Sequence, residues 1–167
     1  LGRVREALFS IIGPAIEGAR FLDLYAGTGA NGIEALSRGA AFAQFVDNHH
    51  AAIDCIAQNL ERTGFSAHAA IVRANLPDGL GRAIPMGGFD LIFADPPYSI
   101  DAYARTISGV AQAGALKPGG RLIIEHSAKR DVSSLAEAPL VYKRSVRYGD
   151  TALSIFEHNL SHFPSPS

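Results

Sequence analysis

Residues 21–39 read FLDLYAGTGANGIEALSRG. The apolar run 21–25 predicts a short buried strand, and the pattern 33–38 predicts a helix. Three glycines lie between them: Gly27, Gly29 and Gly32. They permit a tight turn and a close approach of the backbone to a ligand. The amino terminus of the following helix favours negative charge. A strand, a glycine-rich turn and a helix in this order are typical of a nucleotide-binding unit.

An acidic residue after the next strand supports this interpretation. The predicted strand 43–46 ends at Asp47, which lies 20 residues after Gly27. An acidic side chain at that distance can accept hydrogen bonds from both hydroxyls of a ribose. The alternative is that Asp47 or Asn48 caps the predicted helix 49–63, a role that suits both residue types.

Two features favour S-adenosylmethionine over a nicotinamide dinucleotide. Asp23 falls inside the first strand, four residues before Gly27. Its carboxylate would attract the ammonium of a methionine but would repel a pyrophosphate. The chain has 167 residues, and the nucleotide-binding unit takes up most of them, which leaves no room for the substrate domain that a dehydrogenase usually needs. We therefore expect S-adenosylmethionine as the cofactor.

A rigid polar segment follows another predicted strand. The apolar run 89–94 leads into Asp95-Pro96-Pro97-Tyr98. Each proline fixes its φ at about −65° and pushes the preceding residue toward an extended shape, so we expect a stiff arm at the carboxyl end of the strand. There the Asp95 carboxylate and the Pro96 carbonyl can accept both hydrogens of an exocyclic amino group, and Tyr98 can stack on a planar base. The alternative is a proline-rich turn without a ligand.

The predicted elements alternate as an α/β sheet requires. We expect strands at residues 21–25, 43–47, 68–73, 89–94, 120–125, 139–147 and 151–157. We expect helices at residues 3–17, 31–38, 49–63, 76–83 and 101–114. Residues 148–150 between the last two strands are few enough for a hairpin, so the last strand should run antiparallel.

The sequence thus predicts a Rossmann-like α/β fold. We expect a seven-stranded, mostly parallel sheet with one reversed edge strand and with helices on both faces. Residues 1–158 are expected to form one domain. The tail 159–167 contains two prolines and three serines, and we expect it to be disordered.

Five motifs of the chain occur together in one known family. They are Asp23-Leu24-Tyr25-Ala26-Gly27-Thr28-Gly29, Glu34-Ala35-Leu36-Ser37-Arg38-Gly39-Ala40, Asp95-Pro96-Pro97-Tyr98, Leu116-Lys117-Pro118-Gly119-Gly120 and Arg147-Tyr148-Gly149-Asp150-Thr151. From residue 3 to about residue 157 the chain resembles the RsmD-type family. Members of that family are S-adenosylmethionine-dependent methyltransferases that modify the N2 amino group of a guanine in the 16S ribosomal RNA of the bacterial small subunit. The resemblance implies the class I methyltransferase form of the Rossmann-like fold.

The resemblance also implies the site residues and the setting. The residues expected to bind the cofactor are Asp23, Tyr25, Ala26, Gly27, Thr28, Gly29, Asp47, Asn48, Asn75 and Leu76. The residues expected to form the catalytic segment are Asp95, Pro96, Pro97 and Tyr98. The expected partner is ribosomal RNA within an assembled small subunit or its precursor, and the expected location is the cytoplasm.

Two residues depart from the family pattern. Asn31 replaces an apolar residue of the glycine turn, and Asn75 stands where an aspartate commonly meets the adenine amino group. Because the Asn75 carbonyl can still accept a hydrogen bond, we expect adenine recognition to be weakened or rearranged rather than lost. The family's basic amino-terminal hairpin is absent and the chain begins at Leu1, so we expect this sequence to be a fragment.

The composition fits one compact domain but gives little sign of nucleic-acid binding. Hydrophobic residues make up 47% of the chain and charged residues 19%. The formal net charge is −1 and the isoelectric point is near 6.6, whereas phosphate recognition usually leaves a basic footprint. Three local clusters could form a basic rim: Arg3 with Arg5, Lys129 with Arg130, and Lys143 with Arg144 and Arg147.

Other classes of function find no support in the sequence. There is no signal peptide and no apolar run of about 18 residues, so we expect no membrane partner. The single cysteine, Cys55, excludes an internal disulfide. The six histidines show no spacing typical of metal ligands, so we expect no metal. His126 follows a predicted strand and either contacts the substrate or bonds to the local backbone.

Two alternatives to guanine-N2 methylation stay open at this point. An acceptor pair recognises an amino group rather than a whole base, so adenine or cytosine in DNA or in another RNA fits as well. A cofactor-binding adapter without catalysis is the second alternative, although the glycine turn and residues 95–98 are intact. For an enzyme we expect direct transfer from the sulfonium to the nitrogen of a flipped-out base, with alignment supplying most of the rate.

Overall fold

The computed structural model describes residues 2–84 and 88–160. In this part of the chain the α-helices are α1 (Arg3–Ile12), α2 (Ala30–Ser37), α3 (His50–Thr63), α4 (Leu80–Ala83) and α5 (Ile100–Gln112). The strands are β1 (Arg20–Leu24), β2 (Phe42–Asp47), β3 (Ala69–Arg73), β4 (Phe89–Ala94), β5 (Leu116–Ser127), β6 (Leu140–Tyr148) and β7 (Thr151–His158). Residues 161–167 of the predicted disordered tail lie outside the described residues.

The seven strands form one sheet in the order β3-β2-β1-β4-β5-β7-β6. The first five strands are parallel, and β7 runs antiparallel to both β5 and β6. The predicted seven-stranded Rossmann-like sheet is confirmed, but the predicted edge position of the reversed strand is wrong. Residues 152–156 of β7 are all buried, which suits an inner strand. The outer strand is β6, whose exposed Lys143 and Arg144 are typical of a sheet edge.

Apolar side chains cover both faces of the sheet, as expected for parallel strands buried on both sides. On one face, Tyr103 and Ile107 of α5 pack with alternate residues of β1, β4 and β5. On the other face, Leu8 of α1 and Ile56 of α3 pack with the remaining residues of these strands. All four side chains are almost completely buried. The helices therefore cover the faces of the sheet and leave the carboxyl ends of the strands open.

Two helices are shorter than predicted by several residues. α1 ends at Ile12 instead of continuing to residue 17, because Gly13 takes a φ of 60°. Of the helix predicted at 76–83, α4 forms the last four residues. Residues 76–79 form turns instead, since Pro77 and Gly79 both disfavour a helix.

The fifth strand is longer than predicted. β5 begins at Leu116 instead of residue 120, and its register against β4 shifts between Phe89 and Leu91. This irregularity accommodates the Pro-Gly-Gly segment 118–120, which propensity alone would leave outside a strand. Beyond the irregularity the two strands pair regularly as far as Ala94 and Ile124.

Candidate active site

A cleft opens at the carboxyl edge of the sheet, beside the ends of β1, β2 and β4. The strand order reverses between β1 and β4, and in open α/β sheets ligands bind at such a point. The cleft has a volume of about 430 Å³. It is lined by Tyr25, Asp47, Asn48, His49, Asn75, Leu76, Asp95, Pro96, Pro97 and Tyr98. All of these except His49 are predicted site residues, and the fold brings them together from four separate segments.

A larger groove lies elsewhere, on the flank of the sheet between α4 and α5. It has a volume of about 640 Å³. Its charged side chains are those of Asp78 and Arg105, which form an ion pair and are both largely exposed. Exposed ion pairs of this kind are common on protein surfaces and contribute little. We therefore place the candidate site in the smaller cleft at the carboxyl edge.

Asp47, at the end of β2, ties the glycine turn to the cleft. Its Oδ2 accepts the Gly27 N–H at 2.9 Å, and its Oδ1 accepts the His49 N–H at 3.0 Å. Burial by itself would raise the pKa of Asp47, but these two N–H groups and the His49 ring lower it below its ordinary value. Asp47 is therefore ionised at neutral pH and keeps acceptor sites for the hydroxyls of a ribose. The N-cap residue of α3 is His49, so Asp47 does not itself cap the helix, but its contact with the His49 N–H is a local turn contact at the helix start, as the alternative expects.

The glycine turn packs closely between β1 and α2. Tyr25 begins it with a φ of 58°, a left-handed conformation that is uncommon for a large side chain. Its hydroxyl lies 2.8 Å from Oγ1 of Thr106 on α5, which fixes the ring as a wall of the cleft. At Gly32 a Cβ atom would come within 2.3 Å of the buried Phe45 ring. The predicted residues Ala26, Gly27, Thr28 and Gly29 form the turn behind the cleft rather than its lining.

Asp23 lies beneath the turn rather than in the cleft. It is 1% exposed, and its Oδ2 accepts the Gly32 N–H at 3.0 Å. Burial raises the pKa of Asp23 from 3.8 to about 8, the Gly32 N–H opposes this, and the charges of Asp95 and Asp47 add to the rise. Asp23 is therefore mostly protonated at neutral pH. Its role as partner of a methionine ammonium stays a prediction.

Residues 95–98 form an arm that leaves the carboxyl end of β4 along the cleft. Its start is fixed by the Asp95 N–H, which donates to the Leu24 carbonyl at 3.4 Å. Pro96 is buried, and among the described residues no hydrogen bond reaches its carbonyl. Tyr98 is 59% exposed, with its hydroxyl 3.3 Å from Oγ1 of Thr151 on β7. The arm therefore presents a carboxylate, an available carbonyl and an accessible ring on one short segment.

Glu125, near the carboxyl end of β5, is a site residue that the sequence analysis missed. Ala94 and Ile124 pair across β4 and β5, so Asp95 and Glu125 follow side by side. Their carboxyl groups are placed for a hydrogen bond, which forms when one of them holds a proton. Burial, the Asp95 charge and this hydrogen bond raise the pKa of Glu125 to about 7. Asp95 is more exposed than Glu125; partial desolvation still raises the pKa of Asp95, and the hydrogen bond from Glu125 opposes that rise. The sequence signal for Glu125 is an acidic residue at the carboxyl end of the predicted strand that pairs with β4 in the fold.

Comparisons with known proteins show the family of this chain. The family model described as Conserved hypothetical protein 95 matches residues 1–157. A Bacillus subtilis protein, provisionally named rRNA methyltransferase YlbH, is 34% identical over 156 residues, which cover 93% of this chain and 84% of that protein. Ribosomal RNA small subunit methyltransferase D of Escherichia coli strain K12 is 29% identical over 156 residues, covering 93% and 76%. The chain belongs to the RsmD-type methyltransferase family.

A solved structure supports the fold of this RsmD-type chain. The Escherichia coli protein provisionally named methyltransferase yhhF has a TM-score of 0.83 at 28% identity, covering 95% of this chain and 85% of that one. The class I methyltransferase form of the Rossmann-like fold is therefore confirmed. The roles that the family resemblance implies for individual residues stay predictions. The cleft shows how these residues lie relative to one another.

In this RsmD-type chain His126 belongs to the packing of the sheet rather than to the cleft. It is 2% exposed, with Nδ1 2.9 Å from the Ser127 carbonyl oxygen and Nε2 2.6 Å from Oγ of Ser154. Burial lowers its pKa, so the ring is neutral. The bond to the local backbone, one of the two expectations for this residue, is confirmed.

Within residues 2–84 and 88–160 no three or more His, Cys, Asp or Glu side chains are grouped so that they could hold a metal ion. None of the helices described has the length and apolar character needed to cross a membrane.

Proposed function

We propose that this RsmD-type chain transfers a methyl group from S-adenosylmethionine to the exocyclic N2 amino group of a guanine in bacterial 16S ribosomal RNA. The observation that carries the proposal is the arm 95–98, which borders the same cleft as Asp47 and Asn75. A base and a nucleoside cofactor can therefore meet at one site. The names of the relatives, which are ribosomal RNA methyltransferases, support the class of substrate. A ribosomal RNA substrate also implies a cytoplasmic location.

The acidic side chains around the cleft fit a cationic cofactor. Asp23, Asp47, Asp95 and Glu125 lie at or near the carboxyl ends of neighbouring strands. Within residues 2–84 and 88–160 none of them forms an ion pair with a lysine or arginine. S-adenosylmethionine carries a positive sulfonium and a positive ammonium. The ionised Asp47, the negative charge that Asp95 and Glu125 share, and Asp23, which an ammonium would ionise, suit it better than a dinucleotide pyrophosphate. When bound, it supplies an electrophilic methyl group.

Different residues around the cleft bind different parts of the cofactor. Asp47 accepts the ribose hydroxyls, and the glycine turn gives the rest of the ligand a close approach to the backbone. Asn75 and Leu76 lie on the side of the cleft where the adenine would sit, and the Asn75 carbonyl can accept from its amino group. Asp23 receives the ammonium below the turn.

The arm grips the amino group of the substrate base. An aromatic amine is a poor nucleophile because its lone pair is delocalised into the ring. Asp95 and the Pro96 carbonyl accept its two hydrogens and favour a more pyramidal, more reactive nitrogen. The Asp95 charge also stabilises the positive charge that develops on nitrogen. Tyr98 stacks on the flipped-out base, a contact worth roughly 1–3 kcal/mol.

A basic surface beside the arm suits the RNA backbone, although the net charge of the chain is −1. The Ala128 N–H donates to the Asp150 carbonyl at 2.8 Å, which joins the loop after β5 to the turn between β6 and β7. The loop carries the exposed residues Lys129 and Arg130, and the exposed Arg147 lies on β6 just before the turn; we call these three residues the basic loop surface. The Tyr98 hydroxyl contacts Thr151 in the same region. Phosphates that flank a base in the cleft would meet these cations.

The test is a methyl-transfer assay with three substrates in parallel. Radiolabelled S-adenosylmethionine is incubated with the protein and with unmodified small ribosomal subunits, naked 16S ribosomal RNA or DNA. The labelled nucleoside is identified after digestion, and cofactor binding is measured by calorimetry on the same protein. We expect label in N2-methylguanosine from a ribosomal substrate. Label on adenine or cytosine would make it a different amino methyltransferase, and cofactor binding without any transfer would make it an adapter.

A further inference from the structure

Asp95 and Glu125 form a pair of carboxyl groups at the ends of two adjacent parallel strands. The last regular pair of β4 and β5 is Ala94 with Ile124, and the two acids are the next residues. They are close enough for a hydrogen bond between their carboxyl groups. Two ionised carboxylates repel each other at that distance, so the hydrogen bond exists when one proton is held between them.

The surroundings favour a proton on this pair. Across β7 the neighbour of Glu125 is the buried Leu153, which offers no charge. Besides Glu125, the groups whose pKa the Asp95 charge raises are Asp23 on β1 and Tyr103 on α5. Neither can supply a positive charge.

The nearest cations face other groups. Arg5 donates through Nε to Oδ1 of Asn31 and lowers the pKa of Asp23, and Arg130 lowers the pKa of Tyr103. Within residues 2–84 and 88–160 no lysine, arginine or histidine forms an ion pair with either carboxyl of the pair. The shared proton is therefore the main way in which the repulsion between Asp95 and Glu125 is relieved.

We propose that Glu125 is a positioning residue for methyl transfer: it donates the shared proton in a hydrogen bond to Asp95 and so holds the Asp95 carboxylate ionised and aimed at the substrate amino group. This proposal rests on the proposed function, since it assigns Glu125 a part in the same reaction. One oxygen of Asp95 is engaged by Glu125, and the other stays available for an amino hydrogen.

The pair also accounts for the proton that the reaction releases. When the amino nitrogen bonds to the methyl carbon, the bond from that carbon to the sulfonium sulfur would break and its electrons would stay on sulfur. The nitrogen becomes positive, and it must lose one hydrogen as a proton. The electrons of that N–H bond stay on nitrogen, and the free oxygen of Asp95 accepts the proton. Asp95 and Glu125 then hold two protons and no charge, and one proton passes to water before the next cycle.

The proposal predicts a pH–rate profile with two limbs. At low pH Asp95 becomes protonated and cannot accept the amino hydrogen, so transfer slows. At high pH Glu125 loses its proton, the two carboxylates repel, and Asp95 turns away from its position. The pKa of Glu125, which burial and Asp95 raise to about 7, puts this second decline in the neutral to alkaline range. Transfer is fastest while the pair holds one proton.

Three variants test this in single-turnover assays at saturating S-adenosylmethionine. Glu125→Ala removes the donor, and we expect transfer to fall about 10- to 100-fold with cofactor affinity within a few-fold of wild type. Glu125→Gln keeps an N–H donor toward Asp95 but cannot ionise, so it should recover most of that loss and lack the alkaline decline. Glu157→Gln on β7 is the matched control, because Glu157 lies opposite Arg121, at the other end of the pairing between β5 and β7. Its profile should match wild type.

A second measurement needs no substrate. Carbon-13 NMR of the carboxyl groups, with Glu125→Gln used for assignment, should show Glu125 titrating near neutral pH and Asp95 titrating at lower pH. In Glu125→Gln the neutral titration should disappear. Ordinary carboxyl titrations for both residues would overturn the proposal.

The two measurements separate the two proposals. If wild type methylates no substrate, the proposed function fails, while the NMR titration still reports on the shared proton. If wild type is active but Glu125→Ala has the wild-type rate, the positioning role is wrong. It is equally wrong if Glu125→Gln keeps the wild-type alkaline decline.

Discussion

Replacement of Asp23 by asparagine should make the fold more stable and the cofactor site weaker. Asp23 is 1% exposed, and the pKa of its carboxyl is raised from 3.8 to about 8, first of all by burial. Asparagine has nearly the same shape and keeps a carbonyl that can accept the Gly32 N–H, which Asp23 accepts at 3.0 Å. It carries no charge at any pH. The substitution therefore removes the ionisation of this site and little else.

The size of the effect follows from proton linkage. Between pH 3.8 and about 8 the unfolded chain has lost the Asp23 proton while the folded chain keeps it. Folding then takes up one proton, so the free energy of unfolding falls as pH rises, by about 1.4 kcal/mol per pH unit. Below pH 3.8 both states are protonated and the penalty is absent; above about 8 it is constant. At pH 7 it is about 4 kcal/mol, and Asp23→Asn removes it.

Urea unfolding of wild type and Asp23→Asn at pH 5, 6 and 7 measures the effect. The difference in the free energy of unfolding should favour the variant and grow by about 3 kcal/mol from pH 5 to pH 7. Contributions from Glu125 and other groups cancel in this difference. Asp54→Asn on the exposed side of α3 is the matched control and should show no such trend. A difference that does not change with pH would refute the account of Asp23 as a buried, protonated acid.

The same variant tests the predicted role of Asp23 toward the cofactor. An approaching ammonium favours the ionised form of Asp23, so wild type should release protons on binding S-adenosylmethionine at pH 6–7. Calorimetry in buffers with different heats of ionisation measures this release. In Asp23→Asn the release should be smaller and the affinity at least about tenfold lower, as expected for loss of a charge-assisted hydrogen bond. Unaltered affinity in a stabilised variant would contradict the ammonium role and leave the burial argument intact.

Three further substitutions test other parts of the account. Asp47→Asn leaves one side-chain oxygen for the N–H groups of Gly27 and His49. S-adenosylmethionine should therefore bind about 10- to 100-fold more weakly, as measured by calorimetry. Affinity equal to that of wild type would exclude the ribose role of Asp47. Gly32→Ala drives a Cβ into the Phe45 ring, so it should lower the free energy of unfolding in urea by about 1–3 kcal/mol. The control Gly81→Ala places its Cβ in open space and should not lower it. Equal effects of the two substitutions would refute the packing argument. Arg130→Ala on the basic loop surface should lower the slope of log affinity for RNA against log salt concentration by about 0.7–0.9. The control Arg62→Ala, at the far end of α3, should leave this slope unchanged. Identical slopes for wild type and Arg130→Ala would show that Arg130 does not contact the RNA.

Much of the fold and cleft could be predicted because the signals are local. The strands are apolar runs bounded by glycines and acids, and parallel strands bring their carboxyl ends to one edge of the sheet. That rule alone places Asp47 and the arm 95–98 in one cleft, as the structure shows. The glycine turn identifies the unit to which they belong.

The features that escaped prediction depend on long-range pairing. The partnership of Asp95 with Glu125 follows from the register of β4 and β5, which shifts at Phe89 and cannot be read from either strand alone. The insertion of β7 between β5 and β6 depends on which hairpin strand buries its residues more completely. The burial of Asp23 under the turn depends on the contact with Gly32, nine residues away. Each requires knowledge of a partner that sequence pattern does not supply.

The central claim is that the Asp95 carboxylate positions a guanine amino group for methylation. The most direct test is single-turnover transfer of a labelled methyl group to unmodified small ribosomal subunits by wild type and Asp95→Asn, with the nucleoside identified by mass spectrometry and cofactor affinity measured in parallel. We expect N2-methylguanosine from wild type, a loss on the order of a hundredfold or more in the variant, and cofactor affinity within a few-fold. Equal transfer by the two proteins, or label on a nucleoside other than guanosine, would contradict the claim.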